Sequence, residues 1–367
     1  MINNIAKTGT VDATRSILRV GSTLLDFTDW ESEHSGIMEA GSFRATIPAP
    51  VQDWTWWAQQ TEIVVDVFAG TPKDPANYTT DDLVMIMTAR CDSIELDPET
   101  SRVTIGGRDM TSLLIDNKTT QKWPNLTSSQ IAQQIAALWG FDSNITATTG
   151  IVGKFYAADH VKLAKSETYW NILTYLAQRE SFQCFVMGKT LYFGNFGAKY
   201  SSDPYVIQFD ASGSIPLANA SRLRFSRDLT LAQDLSVTVR SYHGNLAAAF
   251  KATATTTKQG RKIEQTAGLV QSTQHYEFTI PGLTQPECAL KAQGILAELS
   301  KHELKMSAKL PFDSLLYPWI PVQVSGTNTP WDATYMPQKI TRRVSKDHVS
   351  MQVDARTGIP QQTVSLT

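Results

Sequence analysis

His302-Glu303 opens like a zinc-protease signature, in which two histidines on one helix face hold the metal and the glutamate serves as base. The pattern HExxH needs a histidine at position 306, and this chain has Met306 there. The six histidines (His34, His160, His243, His275, His302, His348) are scattered without ligand spacing, so no metal site is expected. A second group with chemical potential is Asp92, Glu95, Asp97 and Glu99. Clustered carboxylates can bind calcium or act as the acid and base of a glycosidase. These lack EF-hand spacing, and in a strand-turn segment they read as a solvated face. Nucleophile elbows (GxSxG), phosphate loops (GxxxxGK[ST]) and dinucleotide fingerprints (GxGxxG) do not occur. Gly106-Gly107-Arg108-Asp109 reads as a turn closing a strand. Trp54, Trp56 and Trp57 can stack a sugar, cap the end of a barrel or anchor an interface. The three are taken as interface candidates, with packing at a barrel end as the competing reading. Nothing calls for a cofactor, and no enzymatic activity is expected.

Composition narrows the class further. The 367 residues are 42% hydrophobic and 19% charged, which suits a folded protein of two or three domains. No stretch approaches the roughly 18 apolar residues of a membrane span, so no membrane insertion is expected. Met1 to Thr10 lacks the build of a secretory signal, so synthesis in the cytoplasm is expected. Cys91, Cys184 and Cys288 lie far apart and read as small buried hydrophobes, not a disulfide framework. The net charge of −2 hides an asymmetry: residues 1–115 hold 8 basic and 17 acidic side chains. Such a segment repels phosphates and is a poor grip for nucleic acid.

Stepping along the chain, the first third reads as β. Ser16–Val20, Phe43–Ile47, Glu62–Phe68, Leu83–Cys91 and Arg102–Gly106 have strand length and composition, with Pro, Asp and Gly turns between them. Near residue 116 the period changes. Thr127 and Gln130 have capping-box spacing, and Ile131, Ile135 and Leu138 repeat at helical intervals. A second helix carries Tyr169, Trp170, Leu173 and Leu176, and a hairpin follows at Phe182–Phe193. Residues 116–200 therefore read as an α/β insertion of two helices and a hairpin. β patterning returns with Leu235, Val237 and Val239, then Val322 and Val324, then Val349, Met351 and Val353; these eight are the candidate core of a second β unit. Thr284 and Glu287 cap one further helix within 271–303, and 357–367 reads as a polar tail. The long segment Asn245–Gln265, rich in Ala, Thr and Lys, reads as an exposed hairpin or loop.

Several of these segments resemble one family. Arg222–Tyr242 (RLRFSRDLTLAQDLSVTVRSY), the helix and strand in Tyr276–Leu310, Trp331–Tyr335 (WDATY) and Gly107–Asp116 (GRDMTSLLID) follow, in order, the pattern of the baseplate hub proteins of contractile-tailed bacteriophages. That group is related to late control protein D and to the hub half of type VI secretion spike proteins. The resemblance covers residues 15 to 356 and carries no catalytic motif. It implies an α+β, mainly β chain with two small barrels: the first at 1–115, the second from 201–270 with 304–356, with the helical segment 271–303 inserted. It implies a homotrimeric ring in the virion tail that adapts a six-fold tail tube protein to a three-fold central spike protein and touches neighbouring baseplate proteins. Genomic DNA would pass through the lumen during ejection without specific binding. The competing reading is a glycan-binding or glycan-degrading tail protein that uses the tryptophans and the acidic stretch 92–99.

Overall fold

The computed structural model describes residues 13–36, 38–123, 125–152, 167–180, 182–196, 203–210, 217–228, 235–243, 248–256, 273–300, 302–357 and 364–366. The first region supplies β1 (Arg15–Val20), β2 (Thr23–Leu25), β3 (Asp29–Ser35), β4 (Ser42–Pro48), helix α1 (Trp54–Ala58), β5 (Val64–Gly70), β6 (Val84–Asp97) and β7 (Arg102–Asp109). Next come α2 (Thr111–Asp116), β8 (Lys118–Thr119), α3 (Ser128–Leu138), β9 (Asp142–Ile145), β10 (Glu167–Thr168), α4 (Tyr169–Glu180), β11 (Gln183–Met187) and β12 (Thr190–Gly194). The remainder holds β13 (Tyr205–Asp210), β14 (Leu217–Ala218), β15 (Arg222–Arg227), β16 (Leu235–His243), β17 (Ala248–Thr256) and β18 (Gln274–Thr279). It closes with α5 (Gln285–Ser300), β19 (Leu304–Leu310), β20 (Val322–Ser325), β21 (Thr334–Ser345), β22 (Val349–Thr357) and β23 (Val364–Leu366).

Fourteen strands share one sheet. The path β14-β13-β20-β21-β3-β4-β7-β6-β5-β1-β2 crosses from the last third of the chain to the first, and β22, β19 and β15 branch from β21. The crossing is the antiparallel pairing of β3 with β21, registered Trp30 to Val344, Ser32 to Arg342 and His34 to Ile340. The sequence reading left β3 out. Its sequence, DWESEHS, has one large apolar residue in seven. It is still a strand because the alternation is intact: Trp30 and Ser32 are buried, while Glu31 and Glu33 face out and pair with Arg343 and Lys339 of β21.

Two other first-region expectations change. β6 runs on to Asp97, and β7 runs through Gly106 and Gly107 to Asp109 instead of turning there. The glycines admit a bulge between Cys91 and Ser93 of β6. A Cβ on Gly107 would lie 2.1 Å from the Arg90 carbonyl oxygen, so only glycine fits at this approach.

The α/β insertion packs as its period predicts. Thr127 accepts from the Gln130 amide and the Gln130 side chain returns the bond, completing the capping box. Ile131 and Ile135 of α3 meet Leu173 and Leu176 of α4 in a core closed by Leu191 and Phe193 of the β11–β12 hairpin.

The second β unit is divided more finely than the sequence suggested. β16 pairs with β17 and β18, and β17 with β23, in a separate sheet of four strands. α5 lies on it, and the small residues Cys288 and Ala292, with Leu296, let the helix approach Leu235, Val237 and Val239 closely. The helix from the 271–303 segment thus completes this four-stranded unit and not the large sheet. Of the expected hairpin or loop Asn245–Gln265, residues 248–256 form β17, and 245–247 and 257–265 lie outside the described residues. The polar tail contributes β23, registered against Ala254 to Thr256. Among the described residues no helix is long and apolar enough to cross a membrane.

Candidate functional site

The most concentrated polar chemistry lies inside the β3–β21 seam. Arg342 is fully buried, while Arg343 beside it is exposed, as adjacent residues of a strand must be. The Arg342 guanidinium donates from Nε and Nη2 to the Asp313 carbonyl at 3.2 Å, from Nη2 to the Leu316 carbonyl, and from Nη1 to His34 Nδ1 at 3.3 Å. Its plane also sits 5.5 Å from the Tyr317 ring centre and 6.0 Å from that of Phe312. Burial draws its pKa down from the usual arginine range.

His34 completes the relay. Because Nδ1 accepts from Arg342, the proton sits on Nε2, which donates to the Ile86 carbonyl at 2.9 Å. Burial, then the neighbouring Arg342 charge, lowers its pKa to about 3, so the ring is neutral at physiological pH. The Tyr317 hydroxyl donates to the Met85 carbonyl at 3.3 Å. Its ring stacks on Trp319 (4.7 Å, 5°), Trp319 on Phe185 (4.4 Å, 9°) and Phe185 on Tyr192 (4.9 Å, 9°). The seam, the loop before β20 and the β11–β12 hairpin are thereby fastened together.

A cavity of about 30 Å³ lies at this junction, lined in part by His34, Gly41, Asp109, Phe185 and Trp319. That volume has room for about two waters and is too small for a substrate. Asp109 closes its floor, accepting from the Gly41 amide at 2.7 Å and the Thr111 amide at 2.9 Å. Burial raises this carboxyl to about 6. His34, Asp109 and Arg342 were not picked out as site residues from the sequence. The alternation around Arg342-Arg343 was the available signal, since one of two adjacent strand residues must face inward.

The residues singled out from the sequence are spread across the molecule. Trp54, Trp56 and Trp57 stand on the short helix α1. Trp57 is buried in the first-region core, Trp54 Nε1 donates to the Ala49 carbonyl at 2.9 Å, and Trp56 is 42% exposed. Trp54 and Trp57 border a cleft of about 460 Å³ with Glu62, Cys91, Asp92 and Ile94. Asp92 is gripped by Arg108 at 2.7 Å, which holds its carboxyl below the ordinary range. Asp97 accepts from the Thr100 hydroxyl at 2.6 Å and organises the turn after β6. Among the described residues no group of His, Cys, Asp and Glu could hold a metal ion. Cys184 and Cys288 are buried, and burial pushes the Cys91 thiol up to about 12. The eight candidate core residues fall in three places. Val322, Val324, Met351 and Val353 pack with Tyr335 and Ile340; Val349 packs with Val344 against the first-region core; Leu235, Val237 and Val239 lie under α5.

Solved structures of tail proteins share this architecture. The tail protein from Neisseria meningitidis MC58 superimposes with a TM-score of 0.66 at 15% identity, over 94% of this chain and 96% of its own. The 43 kDa tail protein of prophage MuSo2 from Shewanella oneidensis gives 0.66 at 14%, over 93% and 97%. Prophage tail protein gp18 from Listeria monocytogenes EGD-e gives 0.54 at 8%, over 94% and 95%. No protein-family model matches the chain, and no curated protein sequence matches it significantly. At these identities the shared property is the fold, and it extends over essentially the whole chain.

The seam makes two predictions. Arg342→Ala costs roughly 2–5 kcal/mol, since it opens a cavity in packed core and leaves two carbonyls and His34 without their donor. Arg343→Ala, which breaks an exposed pair with Glu31, costs less than about 1 kcal/mol. Urea unfolding of both variants measures the contrast, and equal losses would contradict it. The second concerns pH. His34 is charged more readily unfolded than folded, so its contribution is complete above its unfolded pKa of about 6.5 and is lost as pH falls towards 3. Asp109, raised in the fold, acts oppositely and loses its contribution as pH rises through about 6. Comparison with His34→Gln isolates the histidine. The stability gap between wild type and variant is expected to narrow from pH 7 to pH 4, and a constant gap would count against the buried neutral ring.

Proposed function

We propose that the chain is a structural subunit of a contractile phage tail, the baseplate hub, and that it works by assembly and not by catalysis. The observation that carries this reading is the whole-chain likeness to tail proteins, which includes the α/β insertion as well as the large sheet. In this reading three subunits form a ring. The first region, residues 1–115, and the large-sheet strands of 201–270 and 304–356 act as two barrel-like halves, so that three chains present six. Such a ring joins a six-fold tail tube to a three-fold spike and contacts neighbouring baseplate proteins, within the virion tail.

The internal chemistry supports a mechanical role. A subunit that transmits load between a tube and a spike needs its halves fixed, and the seam fixes them with a buried cation, a neutral histidine and a stack of rings. Two of the four carboxylates in the stretch 92–99 are engaged in structure, Asp92 by Arg108 and Asp97 by the Thr100 hydroxyl. DNA would pass through the ring's lumen without specific binding. The excess of carboxylates in residues 1–115 suits that task, because each neutralised phosphate would strengthen a grip that ejection has to break.

The mass of the purified chain in solution tests the reading. Sedimentation equilibrium is expected to give three times the 40.6 kDa of one chain, and particle images a three-fold ring with a central hole. A monomer at every concentration, with hydrolytic activity on cell-wall glycans, would contradict it.

A further inference from the structure

Three adjacent strands at one end of the large sheet turn a cationic face to solvent. β15 pairs with β19, and β19 with β22. Leu223 and Phe225 of β15, Met306 and Ala308 of β19, and Met351 and Val353 of β22 pack in the core. Alternation therefore sends Arg222, Arg224, Lys305 and Lys309 outward, where all four are exposed, with Arg356 half-buried among them.

The register sets like charges against one another. Arg222 stands opposite Lys309, and Lys305 opposite Arg356. Directly opposed like charges destabilise a sheet, so the free subunit bears a cost here that an anionic occupant would relieve. The carboxylate on the outer face of these three strands is Asp354, which accepts from Gln352 at 3.2 Å and is registered beside Lys339. Elsewhere the same sheet neutralises its cations: Arg343 with Glu31, Lys339 with Glu33, Arg108 with Asp92. Among the described residues Arg222, Arg224, Lys305 and Lys309 make no ion pair.

We infer that the outer face of β15, β19 and β22 is a contact surface for the phosphate backbone of nucleic acid. Cations gathered on a flat face are the electrostatic footprint of such a polyanion. Long flexible side chains reach phosphates and not base edges, so the contact is independent of sequence and weakens steeply with salt. An acidic protein surface is the rival occupant, and the first region of a second copy is the nearest example. Four of its strand-face carboxylates are already engaged: Asp66 by Arg19, Asp92 by Arg108, Glu31 by Arg343 and Glu33 by Lys339. Nucleic acid offers the unbroken line of unpaired anions that this face matches. The inference rests on the proposed function only for the source of the nucleic acid.

Fluorescence anisotropy with a labelled random-sequence DNA duplex tests it on the full chain. Wild type is expected to bind in low salt, with log affinity falling against log salt at a slope between about −2 and −4. The variant R222E/R224E/K309E, altered at exposed positions alone, is expected to keep its melting temperature and lose at least tenfold in affinity. K251E, on the separate four-stranded sheet, is expected to bind like wild type. Absence of binding at the lowest salt, or equal affinity of the triple variant and wild type, would overturn the inference. So would a triple variant that binds DNA normally but sediments with a changed mass, which assigns the face to an acidic protein surface. The mass of the wild-type particle reports separately on the hub reading, so either idea can fail alone.

Discussion

A guanidinium placed inside a protein must have its donors satisfied, because an unpaired buried charge costs several kcal/mol. Arg342 meets this demand with the carbonyls of Asp313 and Leu316 and with His34 Nδ1. Arg342 stands on β21, and its partners come from two other places: Asp313 and Leu316 from the loop before β20, and His34 from β3 in the first third of the chain. The demand of one side chain thus specifies where the loop lies, which tautomer His34 adopts and how β3 registers on β21. From there the constraint spreads. Tyr317, positioned beside the guanidinium, anchors the ring stack that reaches Phe185 and Tyr192 of the α/β insertion. A charge in the core is a poor source of raw stability, yet it is an effective device for registry, since a slip of one residue would expose Arg342 and bury Arg343.

Much of this architecture was readable in the sequence where a single rule decides. Helix α3 has an apolar stripe with a capping box at its start, and α5 starts after Thr284, whose amide and hydroxyl both donate to the Glu287 carboxylate; both helices lie where spacing put them. Strands with dense Val and Ile were equally plain. β3 was hidden because its buried face needs only Trp30 and Ser32, and its outer face is charged in order to pair with β21. Charge that is complementary across 300 residues of sequence looks like a loop when read locally. The division of the second β unit was hidden for a related reason. Leu235, Val237 and Val239 alternate just as Met351 and Val353 do, and alternation says that a face is buried without saying against what.

The candidate site shows the same limit. No histidine or carboxylate spacing in the sequence matches a catalytic motif, and in the structure Asp92 holds a strand pair and Asp97 a turn. The tryptophans read as interface candidates or as packing at a barrel end, and in the structure they share a short helix, with Trp57 in the core and Trp56 outside. The polar junction is assembled from His34, Asp109 and Arg342, which are far apart in the chain. Its parts have no motif, because the requirement they meet is to satisfy one another in the absence of water.

The account depends on β3 and β21 uniting the two β regions as one body. Native-state hydrogen exchange measures this directly. The account predicts that amides of Trp30 to Glu33 and Thr341 to Val344 exchange only through global unfolding, with the same opening free energy as amides in β4 and β22. Exchange of the seam amides through a lower-energy opening, while β4 and β22 stay protected independently, would show two separate units in contact and would contradict it.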